Sequence, residues 1–118
     1  MFKKNSGQLT IGEHLIYQNL PEDILARINK LIDWKPLEQI LGSLHPAKVG
    51  RKAYNPVMML KILIIQQIYD HSDPEMELML KGNLFYRRFL GLSAVDPVSD
   101  YSTISRFRYD LKSMNLYS

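Results

Sequence analysis

Between Asn55 and Asp70 the chain is almost uninterruptedly apolar. From Val57 to Tyr69 only Lys61, Gln66 and Gln67 break the run. An asparagine followed by proline opens it, and this pair starts helices: the amide side chain accepts from free N–H groups, while proline needs no donor in the first turn. The segment therefore reads as a helix over about 56–70. A helix apolar on nearly every side must be buried on nearly every side. At about 22 Å and containing Lys61, it is too short and too charged to span a membrane. It is either the central helix of a bundle or a helix completed by a second subunit.

The rest of the chain surrounds it with shorter helical patterns. Residues 1–20 are ambiguous. Pro21 suits a first helical turn, and Ile24, Leu25, Ile28, Leu31 and Ile32 then form an amphipathic stripe. A short helix is expected from about Pro36 to Leu44, followed by a loop to Asn55 marked by Pro46 and Gly50. Ser72-Asp73-Pro74-Glu75 repeats the start signal, with Asp73 as the cap and acids where the helix dipole favours them. That helix ends at Gly82, and Asn83 caps the next, Leu84 to Leu90. Asp100 or Ser102 caps a last helix reaching about Ser113. The expected fold is all-α: one 1–118 domain, a compact bundle of five or six short helices with helix-turn-helix character in its C-terminal half. Two helix pairs could supply that character, 56–70 with 74–82, or 84–90 with the last helix across a longer connection.

Composition narrows the chemistry. The 118 residues include no cysteine, which removes disulfides, thiolate metal sites and cysteine nucleophiles. His14, His45 and His71 lack the spacing of metal ligands. There is no Gly-rich phosphate loop and no Gly-x-Ser-x-Gly elbow. Asp96 and Asp100 fit turn and cap roles beside Pro97. No catalytic residue, metal or cofactor is expected, and no signal peptide, since Glu13 and His14 interrupt the basic N-terminus.

The net charge of +3 is unevenly spread: residues 48–68 carry +4, residues 69–80 carry −4, and residues 81–118 carry +3. Two basic blocks around an acidic one can gather positive charge on one face, as phosphate binding requires, or can simply be solvated. On the last helix Ile104, Phe107, Leu111 and Met114 form a narrow apolar stripe. Ser102, Ser105, Arg106, Tyr109, Lys112 and Ser113 take the opposite arc, with Arg108 at the border. Such a face suits a helix entering the major groove, with Arg106, Arg108 and Lys112 holding phosphates or base edges and Ser102 and Ser105 as helix-end donors. An ordinary surface helix with capping serines has the same pattern. Lys48, Arg51 and Lys52 are candidates for added backbone contacts. Around Phe85 and Phe89 the spacing leaves Arg87 and Arg88 outside as further phosphate candidates, with Tyr86 undetermined.

Taken in order, the segments Ile32-Asp33-Trp34, Gly50-Arg-Lys-Ala-Tyr-Asn-Pro56, Met59-Leu-Lys-Ile-Leu63, Ser72-Asp73 with Glu77, Phe85 to Phe89-Leu-Gly-Leu92, and Asp100-Tyr-Ser-Thr-Ile-Ser-Arg-Phe-Arg108 resemble a known family. It is the N-terminal domain of bacterial insertion-sequence transposases of the insertion-sequence-five type, also called transposase InsH N-terminal. The resemblance covers about residues 30–112. It departs at Ser99, where the family usually has proline. It implies double-stranded DNA as partner, through recognition of the element's terminal inverted repeats, in the bacterial cytoplasm at the nucleoid. It also implies that the magnesium-holding Asp-Asp-Glu domain would follow residue 118, so this chain is expected to be a truncated frame, half of a split gene or an excised domain, and not itself an enzyme. A rival reading is a module that forms a homodimer or docks on full-length transposase and inhibits it. A third is a transposase remnant without function.

Overall fold

The computed structural model describes residues 10–44, 55–93 and 96–113. They form seven helices, with no strand among the described residues: α1 (Ile11–Asn19), α2 (Ile24–Leu31), α3 (Trp34–Leu44), α4 (Pro56–Tyr69), α5 (Asp73–Gly82), α6 (Leu84–Leu90) and α7 (Tyr101–Ser113). The fold is all-α, with one or two helices more than expected.

α4 forms where its cap directs. Asn55 Oδ1 accepts from Val57 N at 2.8 Å and Met58 N at 3.3 Å, and Pro56 occupies the first turn. The helix ends at Asp70, whose left-handed backbone (φ 60°) lets its N–H return to Gln66 O at 2.7 Å. Aspartate tolerates that conformation better than most residues. α3, α6 and α7 pack around α4. They bury Val57, Met59, Ile62, Leu63 and Ile65, while Gln67, Ile68 and Tyr69 in the last turn stay exposed. One chain thus covers most of this helix without a second subunit. Leu25 of α2, Met76 and Leu80 of α5, Phe89 of α6, and Ile104, Phe107 and Leu111 of α7 complete the core.

Several expected boundaries move, while others stand. α2 begins at Ile24, not in the turn of Pro21, because Asp23 Oδ1 caps it by accepting from Ala26 N at 3.0 Å. Of its apolar stripe only Leu25 is fully buried, and Leu31 is 84% exposed. α2 packs chiefly on α6, so only part of the stripe has a surface to meet. α3 starts two residues before Pro36, at Trp34. Ser72, not Asp73, caps α5 in a reciprocal capping box with Glu75. Asn83 caps α6 by accepting from Phe85 N and Tyr86 N. Gly91 ends it at φ 74°, a backbone state that glycine adopts without Cβ strain.

α1 fills the stretch that periodicity left open. Thr10 and Glu13 form its capping box, but Tyr17 is its one buried residue. Ile11, Leu15 and Ile16 are exposed. Polar contacts hold this helix: the Tyr17 hydroxyl donates to Leu92 O at 2.7 Å, and Arg88 donates to Tyr17 O and Leu20 O. No helix of the described residues is long and apolar enough to cross a membrane.

Candidate nucleic-acid interface

α7 presents two chemically distinct sides. Thr103, Ile104, Phe107 and Leu111 are buried against α4 and α5. Ser102, Ser105, Arg106, Tyr109, Lys112 and Ser113 are exposed, as the helical angles predict. Met114 lies outside the described residues. The exposed arc borders an open groove whose other wall is the start of α5, at Ser72, Asp73 and Pro74. Tyr101, Ser102, Ser105, Arg106 and Tyr109 form the α7 wall. Tyr101 and Tyr109 add two large exposed aromatics to this face. Tyr101, Ser105 and Tyr109 recur every fourth residue, a signal in the sequence that the angular reading used for Ser105 and Tyr109 but not for Tyr101.

The N-terminus of α7 is already occupied. Asp100 Oδ1 accepts from Thr103 N at 2.8 Å and from the Ser102 hydroxyl at 3.0 Å. Asp100 is therefore the cap. Its carboxyl is held below the usual carboxylate range, first by the Thr103 N–H and then by the Thr103 and Ser102 side chains. A fixed negative charge at this end disfavours a phosphate there, and the Ser102 proton is spent on the cap. The helix-end donor role expected of Ser102 is thereby corrected, and the cationic part of the face lies further along, at Arg106 and Lys112.

Three of the expected DNA-contacting arginines are committed inside the protein. Arg108 Nη1 and Nη2 donate to the two carboxylate oxygens of Asp73 at 3.0 and 2.7 Å, and Nη2 also donates to Gln66 Oε1 at 2.7 Å. Arg88 donates to Tyr17 O, Leu20 O, Pro21 O and Asp23 Oδ1. Arg87 donates to Leu80 O and Ser93 O, both at 2.8 Å. The reading of Arg87 and Arg88 as outward cations is corrected: each guanidinium fork donates to carbonyl oxygens that the fold brings beside it, where charge-assisted bonds are strong. Tyr86, left undetermined by spacing, is buried, with its hydroxyl 2.7 Å from His71 Nε2.

Of the first basic block only Lys61 lies among the described residues. Lys48, Arg51 and Lys52 lie outside those residues. Lys61 turns inward, donating to Phe89 O at 3.0 Å with its ammonium over the Trp34 and Phe89 rings. Burial pushes its pKa down. His45 is likewise outside the described residues, and among those described no three or more His, Cys, Asp or Glu are placed to hold a metal. Asp96 serves its turn by accepting from Ser93 N at 2.9 Å.

A family model described as Transposase domain (DUF772) matches residues 14–110. The chain belongs to this family. The match takes in every described helix: it runs from within α1 to the penultimate turn of α7, so the exposed arc from Tyr101 to Tyr109 lies inside the transposase domain. No solved structure gives a significant match.

The Asp73–Arg108 pair gives the transposase domain a signature in acid. The Arg108 guanidinium holds the Asp73 carboxyl below its ordinary value of 3.8, helped by Gln66 and opposed by burial. A depressed folded pKa adds stability that is fully present above the unfolded value and is lost as pH falls through the folded one. The melting temperature should therefore drop more steeply below about pH 4 in the native protein than in Asp73→Asn. Equal slopes in the two proteins would remove this pair from the acid response.

Proposed function

We propose that this domain binds double-stranded DNA, the terminal inverted repeats of its own insertion sequence, through the exposed arc of α7, and performs no phosphodiester chemistry itself. The observation that carries the reading is the two-sided α7 within a transposase domain. One side is core. The other holds Arg106, Lys112, Ser105 and two tyrosines, all side chains able to bond phosphates or base edges. α5 is the other helix that could serve, since it follows α4 after the short turn Asp70–Ser72 as in a helix-turn-helix. Its first two turns carry Asp73, Glu75 and Glu77, which a phosphate backbone repels. That contrast favours α7 as the reading helix, with α5 as its support. The sequence resemblance supports placing the domain at the N-terminal end of a transposase of the insertion-sequence-five type.

The test is binding of a labelled duplex carrying the element's terminal repeat, against a scrambled duplex, over a salt series. Arg106→Ala with Lys112→Ala is expected to weaken binding on the order of 100-fold at fixed salt. It should also reduce the magnitude of the log K against log salt slope by about two, one for each phosphate charge no longer neutralised. An unchanged affinity and slope would take α7 out of the interface. Wild-type protein without salt-dependent binding would end the DNA reading.

The rival reading, a dimerising or transposase-docking module, drew on the apolarity of α4. α3, α6 and α7 cover most of that helix within one chain, which weakens its motivation.

A further inference from the structure

A closed hydrogen-bond circuit joins three helices directly behind the α7 arc. Gln66, in the last turn of α4, donates through Nε2 to His71 O at 3.2 Å and to Asp73 Oδ1 at 2.8 Å. Gln66 Oε1 accepts from Arg108 Nη2, and Asp73 accepts from both Arg108 terminal nitrogens. The ion-paired side chains are mostly shielded, at 23% exposure for Arg108 and 18% for Asp73. The circuit therefore ties the end of α4, the turn after it, the first residue of α5 and the middle of α7 to one geometry.

Burial of Ile104, Phe107 and Leu111 is not directional in itself, so the circuit adds an orientational restraint to the packing of α7. A two-pronged guanidinium–carboxylate pair is directional, and one planar fork meeting two oxygens and an amide permits one orientation. Arg108 lies two residues after Arg106 and one before Tyr109 on the same helix. Whatever sets the rotation of Arg108 sets the direction of the exposed arc.

We infer that the Gln66–Asp73–Arg108 circuit positions the reading face of α7 for sequence discrimination, and that Arg108 acts through helix orientation without contacting DNA. This rests on the DNA-binding reading above. The two ideas separate because Asp73→Asn changes no residue of the exposed arc. Asp73→Asn removes a negative charge beside the groove, so electrostatics alone predicts binding as tight or tighter. Loss of the circuit predicts the reverse for the correct sequence.

The experiment measures wild-type, Asp73→Asn and Arg108→Met proteins on the terminal-repeat and scrambled duplexes over a salt series, with helix content and thermal melts confirming that each variant is folded. The expected result for Asp73→Asn is a fall of about tenfold in the preference for the repeat, despite the added positive charge, with the salt slope unchanged. Arg108→Met, where folded, should show the same fall and the same slope. Asp73→Asn that keeps the wild-type preference overturns the inference and leaves the DNA reading standing. A slope reduced by about one in Arg108→Met, with preference intact, also overturns it, since Arg108 would then be a phosphate contact. Wild-type protein with no preference for the repeat overturns both.

Discussion

Phe89→Ala is expected to cost about 4 kcal/mol of folding stability, within the range for emptying a buried aromatic site. For a chain of this length that corresponds to a fall of roughly 15 °C in melting temperature. Phe89 is only 1% exposed, and it joins otherwise separate groups. Trp34 meets its ring edge-on at 6.1 Å between centroids. The Lys61 ammonium lies 5.1 Å from its centroid. Its carbonyl, in the last turn of α6, accepts from Lys61 Nζ at 3.0 Å and Asn29 Nδ2 at 3.5 Å. Alanine keeps the carbonyl contacts and removes the ring, leaving a cavity next to a half-buried cation. Phe89→Leu retains apolar volume and should cost about 1–2 kcal/mol. Urea titrations of the two variants check the difference; equal midpoints would mean that the ring's shape and its cation and Trp34 contacts contribute little.

Arg88→Ala is the second large effect, expected at about 3 kcal/mol. Its mechanism differs. The guanidinium gathers the helix-end carbonyls Tyr17 O and Leu20 O, the carbonyl of Pro21 and the carboxylate of Asp23. A cation at the end of α1 also complements that helix's dipole. Truncation leaves those acceptors to water and removes one of the few ties on a helix that buries one side chain. α1 should therefore loosen first. Amide exchange of residues 14–20 should accelerate well beyond that of α4, and Arg88→Lys should rescue little, because a single ammonium cannot span the four acceptors. Uniform acceleration over all helices would instead mean that α1 opens only with the whole domain. DNA binding measured on the folded fraction should be unchanged, since these nitrogens are occupied inside the protein.

Both predictions fall on α6, seven residues long, and its hub role was only half visible in the sequence. Spacing placed Leu84, Phe85 and Phe89 in the core; Phe89 is buried and Phe85 half-buried, but Leu84 is 43% exposed. The same spacing could not show that the neighbouring arginines turn back onto the protein, because a long cationic side chain beside an aromatic looks the same whether it reaches for solvent or for a carbonyl many residues away. Arg88 meets Tyr17 O across 71 positions of chain. The same limitation hid Asp73. Its place before Pro74 reads as a cap, and Ser72 took that role once Arg108, 35 residues on, engaged the carboxylate. α1 escaped the periodicity test for a related reason: polar contacts with distant residues, not an apolar stripe, hold it in place.

The sequence by itself determined that this chain is helical, that α4 must be buried on nearly every side, and which arc of α7 stays in solvent. These follow from local rules: caps set helix starts, and apolar residues three and four apart must share a buried face. Only the tertiary structure decided which arginines turn inward. Arg87, Arg88 and Arg108 donate to carbonyls and carboxylates within the protein, while Arg106 and Lys112 lie at exposed positions. That division depends on which carbonyls and carboxylates the fold brings within about 3 Å, and no spacing along the chain encodes it.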